Sequence, residues 1–435
     1  MRTPSGRKAL SAEGLLRTAR GVFAKLPDAP GHDIALVDHL MSGLALFGLK
    51  YPSLLQFDHD CREETTTRAN LKSLYGVERA PSDSRFRERL DALDPRALLP
   101  VYKALFAQLQ RGKGLEGFAY LDGHYLLSLD GTGYFSSKTV HCKHCGEKHH
   151  RDGSVTYYHQ MLGAVLVHPE HSEVFPLAPE PIRKQDGAQK NDCERNAAKR
   201  LLSNLRRAHP HLKLIVIEDA LASNAPHIRH LQAHELRYIL GAKQSDHALL
   251  FDWVETSEQT TETTVTDKHG VRHRFRYLNG APLNDANFDL EVNFLEYWEQ
   301  TPDGRVTHFA WVTDIPIDAT NLMTLMRGAR ARWKIENETF NTLKNQGYHF
   351  EHNFGHGNQH LSTVLMHLMM LAFLIDQIQQ RCCRLFQSAL TAAKSKTRLW
   401  QKLRSRFDLC LIPDWETLYR SIITPPQIAL GQDTS

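Results

Sequence analysis

Residues 212–219, Leu-Lys-Leu-Ile-Val-Ile-Glu-Asp, constrain this chain more than any other stretch. They are near-continuously apolar and lack the polar alternation of a strand with one wet face. That is the pattern of a strand buried on both faces, in a sheet covered by helices. The preceding segments fit this reading. Residues 125–130 (YLLSLD), 156–169 (TYYHQMLGAVLVHP) and 173–177 are β-rich runs separated by polar or His- and Gly-containing stretches. A helix is expected over 191–209, because Asn191 stands three residues before Glu194, a capping-box arrangement with Asn in place of Ser or Thr, and Pro210 stops it. The order is β-β-β-α-β, with Asp219 at the C-terminal end of the last strand, and the expected class is α/β.

The flanks differ in character. Residues 1–115 read as helices with polar breaks, and residues 1–26 make a basic amphipathic arm with Arg2, Arg7, Lys8, Arg17, Arg20 and Lys25 against the single acid Glu13. Residues 116–242 hold the strands just described. Residues 243–317 read as a β-rich insertion with hairpin signals at 267–270 and 301–304 (TPDG). Residues 318–360 contain a further helix, and residues 361–435 are helical. The most apolar run, 364–375, is 12 residues long and contains His367, too short to cross a bilayer and read as a buried helix. The N-terminus lacks the pattern of a secretory signal, and seven Cys form an odd set in which only Cys142 and Cys145 have a motif-like spacing. A reduced, cytoplasmic, non-membrane protein is expected.

Carboxylates in apolar surroundings are costly unless something compensates them, so they point to sites. Asp130 ends the YLLSL strand and precedes Gly131-Thr132-Gly133, which frees the backbone for close approach of a ligand. Asp219 ends its strand at the sheet edge where open α/β sheets place ligands. A third acid comes from the helix containing Arg332-Trp333-Lys334-Ile335-Glu336. At about 100° per residue, Trp333, Phe340 and Leu343 share the face of Glu336, whereas Glu338 faces outward. Arg332, one turn earlier, can orient or neutralise Glu336. Three carboxylates from two strands and a helix suit hard divalent cations, and a pair of such ions would serve an in-line displacement at phosphorus. The net charge of +4 does not by itself announce a polyanion. Positive charge is gathered, however, at Arg195, Lys199, Arg200, Arg206, Arg207 and Lys213, and at Arg327, Arg330, Arg332 and Lys334 beside Glu336, which favours a phosphate backbone as substrate.

With Asp130 in Ser-Leu-Asp-Gly-Thr, Asp219 in Val-Ile-Glu-Asp-Ala-Leu-Ala-Ser-Asn-Ala-Pro, and Arg332 to Glu336 ahead of Lys344, the chain resembles the DDE transposases of bacterial insertion sequences, near the insertion-sequence-four group. Asp130 and Asp219 are 89 residues apart and Asp219 and Glu336 117, the longer gap holding the β-rich segment. The resemblance spans roughly 115–350. It departs from the group at Ala329, where a Tyr is usual, and at Leu343, where a Lys is usual, with Lys344 one place later. The resemblance implies a ribonuclease-H-like mixed sheet flanked by helices, with a β-rich insertion and helical N- and C-terminal regions. It implies that Asp130, Asp219 and Glu336 are catalytic and bind Mg²⁺ or Mn²⁺, and that Arg332 and Lys344 contact DNA at the cleavage site. It also makes Trp298 and Trp311 candidates for stacking on a flipped base. The implied activity is cleavage at the ends of an insertion sequence and strand transfer through a 3′-hydroxyl. The implied partners are terminal inverted repeats, target DNA and a second subunit in a synaptic homodimer; a nuclease without strand transfer and an inactive DNA-binding protein are the alternatives.

Residues 140–151 (VHCKHCGEKHHR) are rich in His and Cys. Cys142 and Cys145 have C-x-x-C spacing, and His149 or His150 follows at a distance that can close round a structural zinc ion, with His141, His144, His159 or Cys193 as further possible ligands. The other reading is an unmetallated basic loop that meets DNA through Lys138, Lys143, Lys148 and Arg151.

Overall fold

The computed structural model describes residues 5–28, 31–183 and 193–426. Asn191 of the expected capping box and Arg2 of the basic arm lie outside them. The chain divides into two compact units, one made of residues 116–132 and 160–340, the other of residues 1–115, 133–159 and 341–435.

Among the described residues eleven strands form one mixed sheet. They are β1 (Tyr125–Ser137), β2 (Gly146–His149), β3 (Val155–Val167), β4 (Phe175–Pro176), β5 (Glu180–Ile182), β6 (Leu214–Glu218), β7 (Arg237–Gly241), β8 (Thr261–Thr266), β9 (Arg272–Asn284), β10 (Asn287–Gln300) and β11 (Val306–Thr313). Their order is β2-β3-β1-β6-β7-β11-β10-β9-β8, with β4 and β5 also paired to β3. The class, the mixed sheet and the helical ends agree with the expectation, and the central order around β1 is that of a ribonuclease-H-like core.

Leu214 to Ile217 of β6 are all buried, as an apolar strand in mid-sheet must be. β6 runs parallel to β1 on one side and to β7 on the other. The helix Glu194–Ala208 buries Ala197, Ala198, Leu201, Leu202 and Leu205, one apolar stripe at helical period, and ends just before Pro210. The β-rich insertion does not stand apart from the sheet: β11 pairs antiparallel with β7 and so extends it, with β10, β9 and β8 added beyond. Both expected hairpin turns form. Gly270 (φ 79°) and Gly304 (φ 87°) take the left-handed conformation there, which a side-chain-bearing residue adopts only at a cost.

The other unit is mainly helical, and residues 12–111 and 361–423 contribute to it together. At its centre lies the helix Leu361–Cys382, 22 residues where the sequence indicated an apolar run of 12. By length and composition it could cross a membrane, but its apolar window is wholly buried within the protein. It packs on the helices Ala12–Phe23, Leu36–Gly48 and Leu99–Arg111. Its first turn is held by Asp91, whose carboxylate accepts the backbone N–H groups of Asn358, Gln359, His360 and Leu361, each at 2.9 Å. Burial would raise the Asp91 carboxyl, but these donors outweigh it and hold the pKa below its ordinary value. Further along, Asp376 accepts from Lys50 Nζ at 2.6 Å and from the Tyr348 hydroxyl at 2.5 Å, and the ammonium lies under the rings of Tyr348 and Trp400.

Removing one partner of such a pair leaves a buried charge uncompensated. Asp376→Ala is expected to cost about 3–5 kcal/mol in urea unfolding, and Lys50→Met combined with Asp376→Leu much less than that. Equal losses for the single and the double variant would show that the pair is not what stabilises this position.

Candidate active site

β1 and β6 pair in parallel with Tyr125 opposite Leu214 and Ser128 opposite Ile217. Continued two residues, this register brings Asp130 alongside Asp219 on neighbouring strands, which run about 4.8 Å apart. The 89-residue spacing read in the sequence is the register offset of the two strands. Register partners point to the same side of a sheet, so the two carboxylates belong to one face. Asp219 also caps the short turn Ala220–Ala222, its Oδ1 accepting the Leu221 N–H at 2.9 Å. Asp130 Oδ1 accepts the Gly131 N–H at 2.9 Å.

Glu336 reaches the same region from a segment that is not a regular α-helix. Residues Ile335–Phe340 form a π-helix after the helix Leu322–Arg330. A π turn carries an extra residue, so the facing expected from 100° per residue shifts. The correction falls on Trp333, which is 50% exposed rather than inward, with the Arg332 guanidinium 4.6 Å from its ring centre. Ile335, Thr339 and Phe340 are buried instead. Glu336 is placed beside Asp130: Arg332 Nη1 donates to Asp130 Oδ2 at 3.2 Å and to Glu336 Oε1 at 2.8 Å. The Arg332 carbonyl in turn accepts from the buried Ser128 hydroxyl at 3.1 Å, which fastens the segment to β1.

Burial pushes the Asp130 carboxyl up to about 7. Arg332 opposes that shift, while the Glu336 carboxylate, within hydrogen-bonding reach, adds to it. A further acid was not foreseen as part of the site. The Glu194 carboxylate lies so close over Gly131 that a Cβ there would collide with it. Its pKa is raised by burial and by the nearby Asp219 and Glu218 carboxylates. Its sequence context indicated only a helix start, and the one signal that it belongs here is the bare Gly131. Asp130, Asp219 and Glu336 offer the hard oxygen donors that a divalent ion takes, but among the described residues no three acids stand close enough together to hold one ion as they are.

Asp219 lines a cleft of about 560 Å³ together with Lys243, Trp311, Arg330, Arg332 and Trp333. The candidate DNA-contacting residues fall in several places. Trp311 is 6% exposed and stacks on Phe309 with ring centres 5.6 Å apart. Trp298 lies in β10 beside His308, stacked at 5.1 Å, and beneath Arg274 at 4.7 Å. Arg330 is tied to Glu299 at 2.6 Å. Lys344 belongs to the helical unit, where it pairs with Glu351 at 2.8 Å. Lys143 and Lys148 are exposed in and near the β2–β3 hairpin of that unit.

The Cys/His expectation needs a correction. Cys142 and Cys145 are together, but His149 is exposed beside Glu147, and His150 bonds the Thr156 hydroxyl at 2.8 Å. Neither imidazole joins the thiols. His159 and His356 stand beside the cysteines instead. His159 was among the possible ligands; His356, 197 residues further on, was not foreseen. Cys193 is exposed at a helix start and does not join the group.

The fold and site define a class: an α/β protein with one acid within β1, a second just past the end of the parallel strand β6, a helical glutamate beside the first and an arginine between those two. Residues 133–374, more than half of the chain, match the family model described as the transposase DDE domain, and the chain belongs to that family. Asp219 and Glu336 lie inside the matched segment and Asp130 three residues before it. Members of the family act in DNA transposition, by cleaving and joining phosphodiesters with divalent metals. The chain is also similar in structure to a piggyBac transposase, seen by cryo-electron microscopy in a synaptic complex with hairpin DNA, at 9% identity and a TM-score of 0.40 over 97% of this chain and 82% of that one. No curated protein matches the sequence.

The raised Asp130 pKa has a defined sign. A carboxyl that titrates at about 7 when folded, against an ordinary 3.8, contributes stability that is complete below 3.8 and is lost as pH rises through about 7. In protein kept free of divalent ions, the melting temperature of Asp130→Asn relative to wild type is expected to increase between about pH 5 and pH 8. A difference that stays constant over that interval would contradict the shift.

Proposed function

We propose that the chain is a transposase of the bacterial insertion-sequence-four type that cuts DNA at the ends of its element and joins the freed 3′-hydroxyl to a target. The observation that carries this reading is the meeting of Asp130 and Glu336 on one guanidinium, with Asp219 brought alongside by the β1–β6 register. Asp130, Asp219 and Glu336 would hold Mg²⁺ or Mn²⁺. When bound, the ions supply activation of the attacking water or 3′-hydroxyl and stabilisation of the leaving 3′-oxygen.

The remaining work falls to the chain's own groups. Arg332 neutralises two of the acids, and its planar fork suits a bridging phosphate. Lys243 and Arg330 add positive charge along the same cleft, and the half-exposed Trp333 offers aromatic surface to a base, the pairing of charge and stacking that single-stranded DNA requires, whereas Trp311 is buried against Phe309. Trp298 lies in β10 of the insertion, and Lys143, Lys148 and Lys344 supply phosphate contacts from the helical unit. Terminal inverted repeats and target DNA are the partners, and two copies acting on two ends form a homodimeric complex in the bacterial cytoplasm.

The test uses a supercoiled plasmid that carries the coding segment with its flanking DNA, purified protein and Mg²⁺. Cleavage at the flanks and joined products are expected, with Asp219→Asn and Glu336→Gln each reducing both by about 10³-fold or more, as for groups that act as one unit, while gel-shift binding to the same DNA persists. Cleavage without joined products would reduce the reading to a nuclease. Activity unchanged in both variants would remove these acids from the chemistry.

A further inference from the structure

Outside the carboxylate site, one group of side chains has a geometry that packing alone does not account for. Cys142 Sγ lies 3.9 Å from Cys145 Sγ and 3.6 Å from His159 Nε2; Cys145 Sγ lies 3.4 Å from His159 Nε2 and 3.6 Å from His356 Nε2. All four atoms are within 4.8 Å of one another. A tetrahedral zinc ion, about 2.3 Å from sulfur and about 2.0–2.1 Å from nitrogen, sets its ligands about 3.3–3.8 Å apart. The four separations fall close to that range. Two thiols and two imidazoles are also the donor set that favours zinc over hard cations. We propose that Cys142, Cys145, His159 and His356 form a structural zinc site that ties the β2–β3 hairpin to the loop before the helix Leu361–Cys382.

Local structure places each ligand. The C-x-x-C segment is a tight turn in which the Cys145 N–H donates to the Cys142 carbonyl at 3.2 Å and the Cys142 N–H points to Cys145 Sγ at 3.4 Å. Gly146 opposes Tyr158 in the β2–β3 pairing, so Cys145 falls opposite His159 when that register is continued by one residue. His356 arrives from a loop that is itself gripped. Its carbonyl accepts the Ser362 N–H at 3.2 Å, Gly357 follows in the left-handed conformation, and Asp91 binds the next four backbone N–H groups. Phe135, with its ring 4.3 Å from that of His356, and Tyr134, stacked on His159 at 5.7 Å, wall the cluster with apolar surface. Cys145, His159 and His356 are buried and Cys142 is partly exposed, which gives an ion a way in. All four ligands belong to the helical unit, so the site does not depend on the transposase reading.

The full chain purified without chelator is expected to carry about one zinc per molecule by inductively coupled plasma mass spectrometry. His356→Asn and the Cys142→Ser/Cys145→Ser pair should each lose most of it, whereas His149→Asn/His150→Asn should keep it. If the ligand variants do not fold, wild type still decides: exchange with cobalt should give the thiolate charge-transfer and tetrahedral visible bands. Two further thiols should also become reactive to Ellman's reagent after chelation, and the melting temperature should fall. Wild type that holds no zinc and binds no cobalt, recovery of Cys142 and Cys145 as a disulfide, or zinc retained in the ligand variants would overturn the proposal.

Discussion

The parallel pairing of β1 with β6 is the constraint on which the candidate active site depends. Two acids far apart in sequence become neighbours only because both lie two residues beyond the last paired positions of adjacent strands. The number of residues between them is incidental to this; the register is what matters. A slip of one residue would turn one carboxylate to the opposite face of the sheet. Both faces of β6 are covered and Leu214 to Ile217 are all apolar, so burial alone does not choose between registers; the pairings with β1 on one edge and β7 on the other hold the one observed.

Charge balance explains why the surroundings of these acids are built as they are. Asp130, Asp219, Glu194, Glu218 and Glu336 lie in one unit; Asp130, Glu218 and Glu336 are half-buried, whereas Asp219 and Glu194 are exposed. Their nearest compensating groups are Arg332, shared by Asp130 and Glu336, and His227, whose Nε2 lies 2.6 Å from Glu218. Burial alone would lower the His227 pKa, yet Glu218 raises it overall. Asp130 shifts in the sense opposite to that expected of an acid beside an arginine, because desolvation and Glu336 together exceed one guanidinium. A cluster in this condition gains more from a bound cation than a solvated set of acids would, since each carboxylate that binds one is also relieved of repulsion by its neighbours.

What could be read from the sequence was what short-range periodicity records. β6, the two glycine turns and Asp219 at the end of β6 were visible, because each is specified within a short stretch; the strand end expected at Asp130 is not there, since β1 runs on to Ser137. Glu336 does stand beside Asp130 on Arg332, but it was chosen on a helical phase that the π-helix Ile335–Phe340 alters, and Trp333 shows the error directly. Glu194 was hidden because a glutamate at a helix start has an ordinary local explanation. His356 was hidden for a different reason. It joins Cys145 across 211 residues through a loop whose shape depends on Asp91, and no local pattern encodes that closure. The packing of helices from both ends of the chain into one unit is non-local in the same way.

The helix Leu361–Cys382 shows why such non-local polar contacts accompany a largely apolar interior. It is buried on nearly every side, so its hydrophobic pattern offers no wet face to set its rotation or its axial position. Apolar packing would tolerate several neighbouring arrangements at similar energy. Asp91 engages only the backbone N–H groups at its start, Tyr102 donates to the His367 carbonyl at 3.0 Å in its first half, and the Lys50–Asp376 pair is satisfied at one depth alone. Each contact costs desolvation and adds little net stability, yet together they penalise every displaced arrangement by leaving polar groups unpaired. The Cys/His cluster stands at the entry to this helix, where His356 precedes Leu361 by five residues, so a bound ion would constrain the same degree of freedom from outside the apolar interior.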